Sequence, residues 1–216
     1  MRILLLSMPD SFEHMPPVAI RMPNGALASL AGNVDAHHRV SVADLILVQG
    51  RVKATVARLV RDLEPDVVGM SVMTFQRTTA LGLASFIRTL RPGVKIVVGG
   101  YDPSLAPNAY VACSDVDMIV RGEGERTLSE LLRSLETGTP LDGIAGLAFR
   151  TPDGFVSNAA RPIARLASDP LRLPDRSARV LAADFANNPQ GVGIKDHVLV
   201  VVQLAGGNDG FDRINL

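Results

Sequence analysis

Two glycine-bearing loops contain the residues of this sequence that are best suited to ligand chemistry. The segment G-G-Y-D-P follows an apolar, β-branched run at residues 96–98, and R-G-E-G-E follows a second run at residues 118–120. In an open α/β sheet, strands that end in glycines and lead into helices form a ligand crevice at their carboxyl edge, because glycine lets a ligand approach the backbone. One G-G pair alone is equally typical of a simple turn. Two such loops on neighbouring strands therefore favour a ligand site.

Three of the predicted carboxyl-end loops supply the candidate site residues. Hydroxyl groups follow the strand predicted at residues 66–72, and the G-G loop offers close approach to the backbone. The R-G-E-G-E loop begins a helix whose free amides can bind a phosphate or an amide. The candidate cofactor-binding residues are Ser71, Thr74, Gly99, Gly100, Tyr101, Asp102, Arg121, Gly122, Glu123 and Gly124. The set predicts a large flat or elongated ligand, and it predicts no catalytic residue, since glutamates at a helix start typically serve the helix dipole.

Strand and helix patterns alternate along the chain and position these loops. Five short apolar runs are separated by segments with helical periodicity, which indicates βαβ units and a parallel sheet. Asn24 is placed to cap the first helix, while Thr127 and Glu130 have the spacing of a capping box. Gly138 lies where a C-terminal glycine ends a helix. For residues 1–142 we predict an α/β fold with a flavodoxin-like (Rossmann-like), doubly wound, five-stranded parallel sheet.

The pattern changes after this unit. Residues 143–149 and 155–158, with Asp153-Gly154 between them, predict a C-terminal hairpin extension of the sheet domain. The segment D-P-L-R-L-P-D-R then indicates an extended linker. Residues 143–181 are therefore predicted to form a hairpin and a linker.

Residues 182–216 form a tail of uncertain origin. They contain one strong strand signal at residues 198–204, and residues 197–211 resemble the opening strand of an uncharacterised family of bacterial secreted proteins. Two interpretations stay open: a sixth strand added to the edge of the sheet, or foreign sequence from a truncated or joined reading frame. In the second case the apolar strand would be exposed and prone to aggregation.

The overall composition narrows the class of protein. Lys plus Arg and Asp plus Glu number 22 each, so charge favours neither a nucleic acid nor an anionic membrane as partner. No stretch approaches the ~20 apolar residues of a membrane helix, and the opening apolar run is too short for a signal peptide. The single cysteine, Cys113, excludes a disulfide framework and an iron–sulfur cluster held wholly by this chain. We expect a soluble cytoplasmic protein.

Several motifs in this order resemble one known family. They are G-M-S-V at residues 69–72, V-V-G-G-Y-D-P-S-L-A-P at 97–107 and V-R-G-E-G-E-R-T-L at 120–128. Together with the hairpin segment they are similar to the cobalamin-binding domain of cobalamin-dependent radical S-adenosylmethionine (SAM) enzymes, and the resemblance covers roughly residues 1–180. It implies that the corrin lies on the carboxyl edge of the sheet. Contacts to the corrin or its nucleotide tail would come from Ser71, Thr74, Gly99, Gly100 and Tyr101, with Arg121, Gly122, Glu123 and Gly124 nearby.

The sequence departs from related families at the histidine that ligates cobalt. Residues 35–40 begin like the D-x-H-x-x-G motif but end in valine and precede the second strand. We therefore interpret His37 and His38 as part of a solvated turn, and His14 as a solvated loop histidine. The resemblance then implies base-off cobalamin without a protein histidine ligand, and no metal ligand from this chain.

The second departure concerns the iron–sulfur cluster. The family continues into a barrel with C-x-x-x-C-x-x-C, whereas this chain has no cysteine after Cys113. The resemblance therefore implies no [4Fe–4S] cluster in this chain, with the radical SAM barrel either missing in cis or supplied in trans. We predict the cobalamin-binding module of a radical SAM-type methyltransferase or rearrangement enzyme, not catalytically complete as it stands. The alternatives are a flavodoxin-like flavin or nucleotide module that uses R-G-E-G-E and T-F-Q-R-T-T for phosphate, and a truncated fragment that binds nothing.

Overall fold

The computed structural model describes residues 1–10, 24–163 and 171–181. The loop that contains His14 and the tail 182–216 lie outside these residues. Seven strands form one sheet: β1 (Arg2–Ser7), β2 (Arg39–Asp44), β3 (Val67–Ser71), β4 (Lys95–Gly99), β5 (Met118–Val120), β6 (Leu147–Thr151) and β7 (Gly154–Ser157). Their order across the sheet is β2-β1-β3-β4-β5-β6-β7.

The sheet confirms the predicted fold class and corrects its strand count. The first five strands are parallel, and their order is that of a doubly wound, flavodoxin-like sheet. In the predicted hairpin, β6 pairs antiparallel with β5, and β7 pairs antiparallel with β6. Within the described residues the sheet therefore has seven strands rather than five. The reason is that β5 would otherwise be an edge strand with unpaired backbone groups, and the hairpin satisfies them.

Helices cover both faces of the sheet. They are α1 (Gly25–Asn33), α2 (Val52–Leu63), α3 (Arg77–Leu90), α4 (Tyr101–Leu105), α5 (Asn108–Val111) and α6 (Gly124–Thr137), with 3-10 turns at Leu45–Arg51 and Thr74–Gln76. The helices α1 and α6 pack on one face, and α2 and α3 pack on the other. Alternation along β1 serves both layers: Leu4 and Leu6 face α2 and α3, whereas Ile3 and Leu5 face α1 and α6. A strand buried on both sides explains its continuous apolar run.

Two of the predicted helix ends are confirmed. The Oδ1 atom of Asn24 accepts hydrogen bonds from the backbone N–H groups of Ala26 and Leu27, at 3.0 and 3.4 Å. Gly138 ends α6 in the left-handed conformation, with φ of 71°. Both ends are set by local backbone chemistry, which a sequence shows directly.

The predicted capping box at Thr127 is wrong. The helix α6 begins earlier, at Gly124, after Gly122 has turned the chain with φ of 74°. Thr127 therefore lies inside the helix and is fully buried. Its hydroxyl donates to the carbonyl of Ala145 at 3.1 Å and accepts from Nε of Arg161 at 2.8 Å. This side chain joins α6 to the hairpin region instead of capping a helix.

Within the described ranges the segment after the hairpin has no helix and no ladder strand, and its role as a linker stays a prediction. It nevertheless packs back onto the sheet domain: Leu181 is 2% exposed and belongs to the core beside α2 and α3. A search of the helices among these residues finds none that is both long and apolar enough to cross a membrane.

Candidate cofactor-binding site

A groove opens at the carboxyl edge of the sheet, on the face covered by α1 and α6. Its volume is about 230 Å³, and most of its lining is apolar. The lining residues come from the ends of the strands, the two glycine loops and both helices: Leu5, Ala26, Leu27, Leu30, Gly69, Met70, Ser71, Val97, Gly99, Gly100, Val120, Gly122, Glu123, Gly124, Glu125 and Leu128. Six of the ten candidate residues are in this lining: Ser71, Gly99, Gly100, Gly122, Glu123 and Gly124.

Small residues on adjacent strands create the groove. In the sheet register Leu5 pairs with Gly69, and Ser71 pairs with Gly99. Gly69 and Ser71 on β3 and Gly99 on β4 therefore place three small residues close together at the carboxyl ends of these strands. A Cβ atom at Gly69 would lie 2.7 Å from Cδ2 of Leu5, so a larger residue there would displace the end of the Leu5 side chain. Gly69 was not among the predicted site residues, although an isolated glycine inside a strand is a known sign of close approach.

Gly100 forms the tightest point of the loop after β4. Its φ of 101° is in the region that favours glycine, and an added Cβ would lie 2.9 Å from the backbone nitrogen of Val72. The loop is held there by backbone hydrogen bonds, from N–H of Val72 to the carbonyl of Gly99 at 2.9 Å and from N–H of Asp102 to the carbonyl of Val72 at 3.1 Å. The G-G pair therefore brings the loops after β3 and β4 into direct contact.

Ser104 joins the two glycine loops. Its hydroxyl donates to the carbonyl of Gly100 at 2.7 Å and accepts from the N–H of Gly122 at 2.9 Å. Because Gly100 and Gly122 belong to different loops of the groove, this one side chain fixes the distance between them. Sequence reasoning missed Ser104, since its partner is 18 residues away in the chain.

Asp102 is not in the groove lining but in a buried ion pair behind it. The residue is 1% exposed. Its carboxylate accepts two hydrogen bonds from the guanidinium of Arg77, at 2.8 and 2.7 Å, and one from the hydroxyl of Tyr110 at 2.6 Å. The hydrogen bonds from Arg77 hold the pKa of the Asp102 carboxyl below its usual range. Burial, and then the neighbouring carboxylate, raise the pKa of Tyr110. This geometry fixes the start of α4 against α3.

Two further candidates, Thr74 and Tyr101, lie on the open carboxyl edge beside the groove. Both are exposed, Tyr101 at 59%. Large apolar side chains close to them in the sequence are exposed as well: Met73 is 42% exposed, Phe75 41% and Leu105 67%. This exposed apolar edge is continuous with the loops that line the groove.

Arg121 faces away from the groove toward the hairpin. Its Nη2 atom donates to the carbonyl of Asn158 at 2.5 Å, and its backbone N–H donates to the carbonyl of Gly146 at 2.8 Å. Its Nε atom is buried and has no hydrogen-bond partner among the described residues. The structure therefore places Thr74, Tyr101, Asp102 and Arg121 outside the groove lining, and their contact with a cofactor stays a prediction.

The two histidines before β2 lie at the opposite, amino edge of the sheet. His37 is exposed and pairs with Glu136 at 2.8 Å. The prediction of a solvated turn is wrong for His38, whose side chain is only 1% exposed and whose Nδ1 accepts a hydrogen bond from the amine of Met1 at 3.1 Å. Burial lowers the pKa of the His38 imidazole. Among the described residues, His37, His38 and Glu136 are a group with ligand atoms close enough to share a metal ion, within 4.8 Å of one another.

A doubly wound sheet with a groove at its carboxyl edge is the architecture of α/β domains that bind ligands at that edge. The family profile of the B12-binding domain matches residues 14–132, and the chain belongs to this family.

Two relatives match most of this chain. An uncharacterised methyltransferase of Pyrococcus horikoshii, PH0819, is 30% identical over 164 residues, which are 76% of this chain and 36% of that protein. The anaerobic magnesium-protoporphyrin IX monomethyl ester cyclase of Synechocystis sp. is 28% identical over 76% of this chain and 33% of its own length. The chain thus spans about a third of the length of these relatives.

Solved structures show the same fold. The radical SAM methyltransferase TsrM from Kitasatospora setae, with tryptophan and a SAM analogue bound, has a TM-score of 0.62 at 25% identity and covers 73% of this chain, which spans 30% of TsrM. The cobalamin-dependent radical SAM enzyme OxsB, with aqua-cobalamin bound, has a TM-score of 0.64 at 22% identity over 75% of this chain and 22% of OxsB. These comparisons confirm the predicted family and the α/β fold.

Proposed function

We propose that this chain binds cobalamin and is the cofactor-binding part of a radical SAM-type methyltransferase or rearrangement enzyme. The observation that carries the proposal is the groove, which is lined by backbone at glycines of two adjacent carboxyl-end loops in a domain of the B12-binding family. When it is bound, cobalamin supplies a cobalt ion that can carry a methyl group or take part in radical chemistry, and the protein supplies its binding and orientation.

The residues of the site fit a ligand with an elongated part and a flat part. The groove is narrow, and the small residues Gly69, Ser71 and Gly99 leave room in it. A long group with both apolar and polar parts, such as a nucleotide tail, would fit this space. The exposed edge beside it, with Phe75 and Tyr101, offers aromatic and apolar surface to a large flat ring. Apolar surface of this kind, continuous with a groove, is typical of a binding site.

We further propose that the cobalamin is base-off and that no histidine of the described residues ligates its cobalt. The support is the position of His37 and His38, which lie at the edge of the sheet opposite the groove. The sequence also lacks the complete D-x-H-x-x-G motif. The cluster that cleaves SAM would come from a barrel outside these 216 residues or from a separate chain, because one cysteine cannot hold a [4Fe–4S] cluster.

The test is a visible-absorption titration of the chain with hydroxocobalamin, followed by desalting. We expect a retained spectrum with base-off features in the wild type. Gly99→Val fills the groove and should abolish retention, whereas Gly93→Val, at the amino edge of β4 where an added Cβ meets nothing within 4 Å, should retain it. Loss of the chromophore from a folded wild type contradicts the proposal. Retention of a yellow flavin instead favours the flavin module, and retention of neither favours a fragment that binds no cofactor.

A further inference from the structure

Residues 171–181, which we name the strap, are hydrogen-bonded along the free edge of the sheet. The backbone N–H of Val42 donates to the carbonyl of Ala178 at 2.8 Å, and the N–H of Val180 donates to the carbonyl of Val42 at 2.9 Å. Val42 and Arg179 form a parallel bridge, and Leu181 is buried in the core. The strap therefore covers the edge of β2, which has no neighbouring strand on its outer side among the described residues.

The strap also contacts α1 through hydrogen bonds and close backbone packing. Asn33, which is 8% exposed, donates from Nδ2 to the carbonyl of Arg172 at 3.1 Å and accepts from the N–H of Arg172 at 2.8 Å. The N–H of Asp175 donates to the carbonyl of Ala28 at 2.8 Å. At Gly32 the two segments are so close that an added Cβ would lie 2.0 Å from the carbonyl oxygen of Leu173. Only glycine permits this approach.

Arg179 ties the strap to the start of α1, beside the groove. Its Nε atom donates to the carboxylate of Asp44 at 3.0 Å, and its Nη2 atom donates to the carbonyl of Asn24 at 3.0 Å. The other carboxylate oxygen of Asp44 accepts the N–H of Asn24 at 2.8 Å. The side chains of Arg179 and Asp44 are 14% and 2% exposed, so this is a largely desolvated pair.

Asn24 connects this pair with the groove. It caps α1, and its Nδ2 atom donates to the hydroxyl of Ser71 at 3.4 Å. Ser71 lines the groove, as do Ala26 and Leu27 in the first turn of α1. The chain of contacts from Arg179 through Asp44 and Asn24 therefore ends on one wall of the groove.

We infer that the strap positions one wall of the cofactor groove and that Arg179 is its positioning residue. The inference rests on the proposed function. Displacement of the strap would move the start of α1 and so change the groove. By reciprocity, cofactor binding would stabilise the strap in its position on the sheet. The strap is thereby coupled to cofactor affinity.

The experiment measures cobalamin affinity and the hydrogen exchange of α1 in the full chain. Arg179→Met is compared with Arg176→Met, which makes the same change at an exposed position of the strap. We expect Arg179→Met to weaken cobalamin binding about five- to tenfold and to speed amide exchange at Ala26 and Leu27 in the cofactor-free chain, whereas Arg176→Met changes neither. If Arg179→Met does not fold, Arg179→Lys replaces it in the experiment. Because lysine keeps a positive charge beside Asp44, we expect it to weaken cobalamin binding by a smaller factor.

A second pair of variants moves the strap from the other side of α1. Gly32→Ala pushes against the carbonyl of Leu173, while Gly82→Ala makes the same change in α3, where an added Cβ meets nothing within 4 Å. We expect weaker cobalamin binding in the first variant only.

The outcomes separate the two proposals. If the wild type retains cobalamin and both Arg179→Met and Gly32→Ala bind it as tightly as the wild type, the strap does not position the groove and the inference is overturned. If the folded wild type itself retains no cobalamin, the proposed function fails and the inference fails with it. Faster exchange of α1 with unchanged affinity would assign the strap a purely structural role, which also overturns the inference.

Discussion

The two adjacent glycines of the G-G loop should respond differently to alanine: Gly100→Ala should lower the stability of the fold, whereas Gly99→Ala should weaken cobalamin binding. At Gly100 a Cβ would meet the backbone nitrogen and oxygen of Val72 at 2.9 and 3.1 Å, and the φ of 101° is itself unfavourable for alanine. At Gly99 the nearest atom would be the carbonyl oxygen of Val120 at 3.4 Å, an ordinary contact. Gly100→Ala therefore perturbs the fold, whereas Gly99→Ala places a methyl group at the groove without strain.

The size of the first effect follows from the two causes at Gly100. A residue held in a sparsely populated backbone region costs about 1–3 kcal/mol, and overpacking against atoms that cannot move costs about 1–3 kcal/mol more. The sum, about 2–6 kcal/mol, lowers the Tm of a domain of this size by about 4–24 °C. For Gly99→Ala we expect the free energy of unfolding to change by less than about 1 kcal/mol. We expect its affinity for cobalamin to be lower.

Urea unfolding and thermal unfolding measure the first quantity, and cobalamin retention after desalting measures the second. The reasoning requires a large loss of stability for Gly100→Ala with Gly99→Ala close to the wild type. Equal Tm values for the two variants would refute the geometry of the loop after β4. A stable Gly99→Ala variant with wild-type affinity for cobalamin would refute the assignment of Gly99 to the cofactor site.

Three further substitutions test the network around the groove. Ser104→Ala removes the hydroxyl between the two glycine loops and should lower the free energy of unfolding by about 1 kcal/mol. It should also weaken cobalamin binding. The control Ser85→Ala, at an exposed position on α3, should leave binding unchanged. Asp102→Asn removes the carboxylate that pairs with a guanidinium and should lower stability by about 1.5–3 kcal/mol. Since the pKa of Asp102 is lowered in the folded state, its contribution is present above the unfolded pKa and disappears as the pH falls through the folded value, so the variant should lose part of the acid dependence of urea unfolding. The buried His38 has a lowered pKa, so the unfolded chain binds a proton more readily and stability should fall as the pH drops below about 6.5. His38→Gln should flatten this slope, measured by urea unfolding.

The features that could be predicted from sequence depend on neighbouring residues. The strand at residues 96–98 is apolar because it is buried on both faces, and Asn24 caps α1 through atoms only two and three residues away. The glycine loops could be located because a positive φ favours glycine at both Gly100 and Gly122, and at Gly100 the backbone of Val72 also leaves no room for a Cβ atom. Six of the candidate residues therefore lie in one groove.

The features that sequence reasoning missed depend on distant partners. Thr127 has the spacing of a helix cap, but its hydroxyl bonds Ala145 and Arg161, which the hairpin region brings to it. His38 precedes a strand like many solvated residues and is buried by the first residue of the chain. Asp102 is in a glycine loop and yet pairs with Arg77, whose position depends on the packing of α3. Such contacts become visible only when the sheet is assembled.

The edges of the sheet explain why the segment after residue 142 matters to the cofactor site. The hairpin covers β5 with buried Leu147 and Phe149, and the strap covers β2 and buries Leu181. Each of these side chains contributes about 1.5–3 kcal/mol by leaving water, and their sum is comparable with the whole stability of an ordinary domain, about 5–15 kcal/mol. A chain that ends at residue 142 would expose both edges and should aggregate and lose cobalamin, whereas a chain that ends at Leu181 should remain folded and retain it. Size-exclusion chromatography with absorbance detection compares the two, and a soluble, cobalamin-retaining chain of residues 1–142 would show that the edges need no cover.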